Sequence, residues 1–202
     1  MNYELAKLPA RLDEVEDWLA PAEAFRLVLF GGALRDSDNN RPVRDYDIMI
    51  NLGKVAPLQE KWQQLATRVL DGLKAAAPGI THVAMGYTRH ELTRPDGLML
   101  DICFDLGQSS LMDRAEQATL GISAIAMDMD TQQVQVTKNY VKDVDNSTLT
   151  LVHGLSGFSG LDDKRKIYVR KIQAKYPDFG LVSHTPACKN IRRIRRFESE
   201  MA

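Results

Sequence analysis

The spacing of hydrophobic positions changes several times along this chain, and each change predicts an element. Over residues 4–19 apolar side chains (Leu5, Leu8, Leu12, Val15, Leu19) recur at near-helical spacing, which predicts an amphipathic helix despite Pro9. FRLVLF at 25–30 is aliphatic and aromatic enough for a buried strand, and Gly31-Gly32 ends it in a turn. Beyond the polar loop SDNNRPV a second strand is expected over 45–51, then a long helix over 57–77 that Pro78-Gly79 closes. Two more strands are expected at 80–87 and 98–104, with the charged stretch TRHELTRPDG as the hairpin connection between them. SLMDRAEQAT predicts a short helix, ISAIAMDM and QVQVTK a hairpin around DMDTQ, and STLTLV a further short strand that ends the sheet region. After the Gly- and Ser-rich GLSGFSG the pattern turns to charged helical stretches, DDKRKIYVRKIQAKY and PACKNIRRIRRFESEM, broken at Pro177. The organisation this implies is an α+β domain over residues 1–153, with a mixed sheet flanked by helices, and a short helical appendage over 154–202.

Composition changes this picture little. A chain of 202 residues suits one domain, or one domain with a short appendage, and is long enough to bury a core. The formal net charge of −1 gives no global attraction to nucleic acid, so any such contact would be local, as at Arg192, Arg193, Arg195 and Arg196. Cys103 and Cys188 lie far apart without C-x-x-C spacing, which indicates neither a disulfide framework nor a zinc site and leads to the expectation of a reducing cytoplasm. The N-terminal MNYELAKLPARLDEVEDWLA carries acids where a secretory signal would carry an apolar core. No apolar run approaches the roughly 20 residues that span a bilayer, so no membrane partner is expected.

The segment LFGGALRDSDNNRPVRDYDIMI carries the candidate chemistry. On a strand, residues i and i+2 share a face, so Asp45 and Asp47 project together. Two neighbouring carboxylates repel, and a hard divalent cation such as Mg2+, or Mn2+ in its place, relieves that repulsion while keeping waters and substrate phosphates in its shell. Solvated acids at a strand end are the plain alternative. Gly31 and Gly32 permit positive φ and close approach of another group, either to cradle a phosphate on backbone amides or simply to make a tight turn. Arg35 can grip phosphate as a planar fork or pair with Asp36 or Asp45 to hold the loop. A third carboxylate should come from an adjacent strand, and Asp101 in LMLDICFD fits better than Asp105, because its apolar flanks make an unpaired charge costly. None of His82, His90, His153 and His184 lies in this segment, and each is read as a packing or surface residue.

Taken in order, these parts resemble the head of the poly(A) polymerase and CCA-adding enzyme family, class II of the nucleotidyltransferases. That family's strand, GG-x-[VL]-RD, loop and P-x-x-D-x-D-[IV] are matched by Gly31, Gly32, Leu34, Arg35 and Asp36, then Pro42, Asp45, Asp47 and Ile48. LDICF is similar to the context of the family's third acid at Asp101, GISAIAMDMD to its T-I-N-A-L-A-Y-D stretch, and LSGFSGLDDKRKIYVRKI to the start of its neck. The resemblance implies a polymerase-beta-like nucleotidyltransferase fold, mainly antiparallel, with residues 154–202 as a truncated neck. It implies that Asp45 and Asp47 hold two magnesium ions, that Asp101 completes the catalytic metal site, and that Gly31, Gly32, Arg35 and Asp36 handle the nucleotide. The implied reaction is attack of a hydroxyl on the α-phosphate of a nucleoside triphosphate, ATP or CTP foremost, with an RNA or tRNA 3′ end as acceptor and pyrophosphate released.

Departures from the family matter as much. Its Arg-Arg-Asp, used for the nucleotide sugar and phosphates, is here Gln117, Ala118 and Thr119. Arg114 or Arg89 could substitute from another turn, or be ordinary solvated side chains. Residues 154–202 are too few for the family's complete neck, body and tail, so templated CCA selection is not expected of them. Lys164, Arg165, Arg170 and Lys171, with Lys175, could contact an acceptor's phosphates or form a solvated helix face. Two classes of function therefore stay open: a minimal transferase acting on RNA, a protein or a small molecule, and a nucleotide-binding or regulatory module of the same fold without turnover.

Overall fold

The computed structural model describes residues 1–53, 59–86, 88–105, 109–152, 161–183 and 192–193. Its strands are β1 (Asn2–Tyr3), β2 (Arg26–Phe30), β3 (Tyr46–Asn51), β4 (Thr81–Ala84), β5 (Arg89–Thr93), β6 (Met99–Asp105), β7 (Ile125–Asp128), β8 (Val134–Val136), β9 (Thr148–Leu151), β10 (Gly180–Ser183) and β11 (Arg192–Arg193). Its helices are α1 (Leu12–Leu19), α2 (Gly32–Asp38), α3 (Gln59–Ala76), α4 (Leu111–Glu116), α5 (Lys138–Asn146) and α6 (Asp163–Lys175). The first eight strands form one sheet in the order β1-β8-β7-β2-β3-β6-β5-β4. Every pairing in it is antiparallel except β3 with β6, so the sheet is mixed and mainly antiparallel, as expected.

Alternation along the central strands assigns the two faces. Tyr46, Ile48 and Ile50 of β3 and Leu100 and Ile102 of β6 point into the main core, where Trp18 of α1 and Trp62, Val69 and Leu73 of α3 cover them. Ile48, Ile50, Leu100 and Ile102 are fully buried, each contributing about 1.5–3 kcal/mol relative to exposure. The residues between them face the other way: Met49, with Val28 and Phe30 of β2, packs under Leu111 and Ala115 of α4. Asp47 and Asp101 alternate onto this second face, so the pleat itself puts the acids on the α4 side.

Three expectations need correction. The helix expected over 4–19 is confined to Leu12–Leu19. Pro9 lacks an N–H and disfavours helical geometry in the residue before it, and Arg11 then turns the chain at φ 62. The freed backbone docks on α2, with Ala6 N–H donating to Asp38 Oδ1 at 2.8 Å and the Ser37 hydroxyl donating to the Lys7 carbonyl at 2.8 Å. The stretch TRHELTRPDG is not merely a connection, because it contains β5, whose His90 and Leu92 are buried while its other face is polar. Finally, α5, capped by the Thr137 hydroxyl, is a helix the spacing did not reveal.

The helical stretch expected after residue 160 is present as α6, with Asp162 as its N-cap. It is joined by a strand: β10 runs parallel to β9, and β11 pairs with β10. Val169, Ile172 and Tyr176 pack with Leu120, Leu149, Leu151 and Leu181 in a second apolar cluster between α6 and this small sheet. The second helical stretch, over 186–201, lies outside the described residues apart from Arg192–Arg193, as do GLSGFSG, His153, His184 and Cys188. Among the described residues no helix is long and apolar enough to cross a membrane.

Candidate functional site

At the end of β2 the chain reverses through Gly31, at φ 68 and ψ −116, and α2 begins at Gly32. The two aspartates crowd both positions, Gly31 more closely than Gly32. A Cβ on Gly31 would lie 3.3 Å from Asp47 Oδ2, and one on Gly32 would lie 3.4 Å from that oxygen and 3.7 Å from Asp45 Oδ1. The Gly32 N–H points at Asp47 Oδ2, 3.4 Å away. The glycines and the D-x-D, 13 residues apart from Gly32 to Asp45, are therefore one constellation rather than two independent turns.

Parallel pairing of β3 with β6 sets Asp101 directly across from Asp47, whereas Asp105 is aligned with Asn51. Burial, followed by the nearby Asp101 and Asp45 charges, pushes the Asp47 carboxyl up to about 6. Asp101 is held by Arg89 of β5, which donates from Nε to Oδ1 at 2.8 Å and from Nη2 to Oδ2. Among the described residues no group of three His, Cys, Asp or Glu side chains is assembled as a metal cage. The donor set fits a hard cation on the Asp45–Asp47 edge, which would lower the repulsion felt by Asp47, with Asp101 joining only if Arg89 lets go.

Gly31, Gly32, Asp45, Asp47 and Asp101 all line one cleft of about 350 Å3, together with the Arg35 guanidinium. Arg35, however, is only 4% exposed and is committed to protein partners: Nε donates to Asp36 Oδ1 at 2.7 Å and Nη1 to Ser123 Oγ at 3.0 Å. Of the two readings of Arg35, the geometry is that of the pair with Asp36. Asp36 itself does not line the cleft. It is 1% exposed behind the cleft wall and also accepts from Tyr176 Oη at 2.9 Å and from Lys175. Burial raises its pKa, but the bonds and charges of Arg35 and Lys175 outweigh this and hold it below the usual carboxylate range. The Tyr168 hydroxyl, 2.7 Å from Ser123 Oγ, closes the network and attaches α6 to the site.

Among the basic residues of α6, Lys171 lines the cleft, with Nζ 3.8 Å from Asp45 Oδ2. Lys164, Arg165 and Arg170 are exposed and line no part of it. Arg89 and Arg114 both line the cleft, so neither is an ordinary solvated side chain. The Arg114 guanidinium lies over Phe30 with Cζ 3.5 Å from the ring centroid, and its Nη1 donates to Gln117 Oε1 at 2.7 Å. Gln117, Ala118 and Thr119 line the same wall, which puts the departure from Arg-Arg-Asp inside the cleft. The roles of Tyr168, Tyr176 and Lys175 carry no local signal in the sequence, since their partners lie more than 40 residues away.

No family model matches the chain, and no curated protein matches it. Solved structures do. A Thermotoga maritima CCA-adding enzyme complexed with tRNA is 16% identical with a TM-score of 0.62, over 87% of this chain and 40% of its own. A CCA-adding enzyme in complex with CTP is 17% identical with a TM-score of 0.62, over 85% and 40%. A tRNA nucleotidyltransferase with a primer tRNA and an incoming ATP analogue is 16% identical with a TM-score of 0.56, over 82% and 46%. The chain thus spans less than half the length of the structures it resembles, and at these identities the likeness concerns architecture: the chain has a nucleotidyltransferase fold of the kind found in CCA-adding enzymes.

Proposed function

We propose that this protein is a metal-dependent nucleotidyltransferase that moves a nucleoside monophosphate from a triphosphate, ATP or CTP, to a hydroxyl at an RNA 3′ end, a tRNA foremost. The observation that carries this reading is the convergence of the Asp45 and Asp47 carboxylates on the Gly31-Gly32 turn inside one cleft. The acceptor oxygen would bond to the α-phosphorus as the bond to the bridging oxygen breaks, so that pyrophosphate leaves and the hydroxyl proton passes to solvent. Asp45 and Asp47 would hold Mg2+ or Mn2+, whose charge would lower the pKa of the attacking hydroxyl and offset that of the leaving group. The fold's occurrence in proteins complexed with tRNA, CTP and an ATP analogue supports this choice of substrates. Lys171, at the cleft mouth beside Asp45, is the α6 residue best placed to meet an acceptor phosphate. Lys164, Arg165 and Arg170 would act farther along the same helix.

A second reading, nucleotide binding without turnover, is favoured by one feature: Arg89 neutralises Asp101 where a third metal ligand is needed. Incubation with each α-labelled triphosphate, Mg2+ or Mn2+ and total RNA separates the two. Label transferred to RNA by the wild type and lost in Asp45→Ala and Asp47→Ala is the expected result. Nucleotide bound with neither transfer nor pyrophosphate release would replace the first reading with the second.

A further inference from the structure

Four cationic side chains reach the cleft: Arg35, Arg89, Arg114 and Lys171. Three are opposed by carboxylates. Arg35 is paired with Asp36 where both side chains are almost wholly buried, Arg89 grips Asp101, and Lys171 lies 3.8 Å from Asp45. Arg114 differs, since among the described residues it forms no ion pair. Its Nη1 donates to a neutral amide oxygen, Gln117 Oε1, and among the described residues its buried Nε has no hydrogen-bond partner.

From this arrangement we infer that Arg114, carried on α4 and braced by Phe30, is the residue that grips the triphosphate in this protein. The inference rests on the nucleotidyltransferase reading above and names which residue discharges one of its tasks. A guanidinium withdrawn from water without a counter-ion is costly, and the face of an aromatic ring offsets only part of that cost. Burial holds Arg114 below the usual guanidinium range, although the Asp47 and Asp105 charges, neither of them in an ion pair with it, act in the opposite sense. An incoming phosphate supplies the opposing charge, and the planar fork can present its Nη donors to phosphate oxygens.

Position agrees with chemistry. Phe30 is the residue immediately before the Gly31-Gly32 turn, so the guanidinium stacked on it stands beside the turn and on the sheet face of Asp47. Arg114 precedes Gln117 by three residues, one helical turn, and Gln117, Ala118 and Thr119 bring no charge to the wall they line. Arg35 is a poorer candidate, because binding phosphate would require it to leave Asp36 and Ser123 in a buried network that also holds α6.

Calorimetric titration of the full chain with ATP, CTP, AMP and CMP, each with Mg2+, tests this. The wild type should bind at least one triphosphate more tightly than the matching monophosphate. Arg114→Met, which retains an apolar stem over Phe30, should weaken triphosphate binding about tenfold or more and leave monophosphate binding within about twofold. Arg114→Lys, which keeps the charge without the fork, should fall between them and decides the matter if the Met variant fails to fold, as judged by circular dichroism. Equal triphosphate affinity in wild type and folded variant would overturn the inference and leave the nucleotidyltransferase reading standing. A wild type that binds no triphosphate would remove that reading and the inference with it.

Discussion

Tyr176, just past the end of α6, donates its hydroxyl to Asp36 Oδ1 at 2.9 Å, and that oxygen also accepts from Arg35 Nε at 2.7 Å. One buried carboxylate thereby links the helix after the glycine turn to α6. Asp36→Ala should cost about 3–5 kcal/mol at pH 7, because Arg35 is left as a buried charge without its partner. Urea unfolding measures this directly. The pH dependence has a definite sign. The folded-state pKa of Asp36 is depressed, so its contribution is present above the unfolded value of 3.8 and is lost as pH falls through the folded value. Wild type and variant should differ by a constant amount from pH 5 to 8 and converge below pH 3.8. A gap that persists undiminished in acid would show that the network is held by something other than this ionised carboxylate.

Gly31 and Gly32 should respond differently to alanine. Gly31 sits at φ 68 and ψ −116, a region closed to residues with a Cβ, so Gly31→Ala should destabilise by about 1–3 kcal/mol. Gly32 lies in α2, where alanine gains about 1 kcal/mol of helix propensity to set against a contact of 3.4 Å with Asp47, so Gly32→Ala should be near neutral. Thermal unfolding of the two variants checks the order, and equal losses would mean that the aspartate contact, not the backbone, governs the turn.

The parts of the fold that were legible in the sequence are those where one residue's surroundings are set by its near neighbours. The apolar runs in FRLVLF and DIMI mark β2 and β3 because both faces of these strands are covered, one by the main core and the other by α4. The same rule hid β5. Its outer face, which meets the cleft at Arg89, carries the polar Arg89, Glu91 and Thr93, and only Leu92 reads as core, with His90 buried beside it. Residues 4–11 misled because the apolar spacing was helical while Pro9 forbade the backbone to follow. β10 and the links from Tyr168, Lys175 and Tyr176 depend on parts of the chain more than 30 residues away, and no local period encodes them. The candidate site divides in the same way. Asp45, Asp47 and the glycines announce themselves in one segment, whereas the engagement of Asp101 by Arg89 and the stacking of Arg114 on Phe30 arise from strand order and from α4 packing on the sheet.

Asp47 predicts a pH dependence opposite to that of Asp36. Its folded pKa, about 6, is raised above the unfolded 3.8, so the strain is absent below 3.8 and grows as pH rises through about 6. A shift of about two units corresponds to roughly 3 kcal/mol as an upper figure. Asp47→Asn should therefore match the wild type near pH 4 and be the more stable protein at pH 8, by up to that amount. Mg2+ or Mn2+ at millimolar level should stabilise the wild type at pH 8, and a chelator should reverse this. Thermal unfolding against pH, with and without metal, gives all four curves. A wild type indifferent to metal at pH 8 would remove the cation from the Asp45–Asp47 edge.

Arg89 separates a structural ion pair from a restraint on a ligand. Its side chain is 54% exposed, so the pair with Asp101 contributes little to stability, and Arg89→Ala should change unfolding free energy by about 1 kcal/mol or less. Its effect on cation binding should be larger. With the guanidinium gone, Asp101 stands opposite Asp47 without a neutralising partner, and the three carboxylates offer a divalent ion more charge than the wild type does. Mn2+ titration of Arg89→Ala should show affinity several-fold tighter than wild type, and in Arg89→Ala/Asp101→Asn the gain should disappear. Tighter binding that survives loss of Asp101 would assign the gain to general removal of positive charge. Unchanged or weaker binding would exclude Asp101 from the metal site and leave Asp45 and Asp47 as its protein edge.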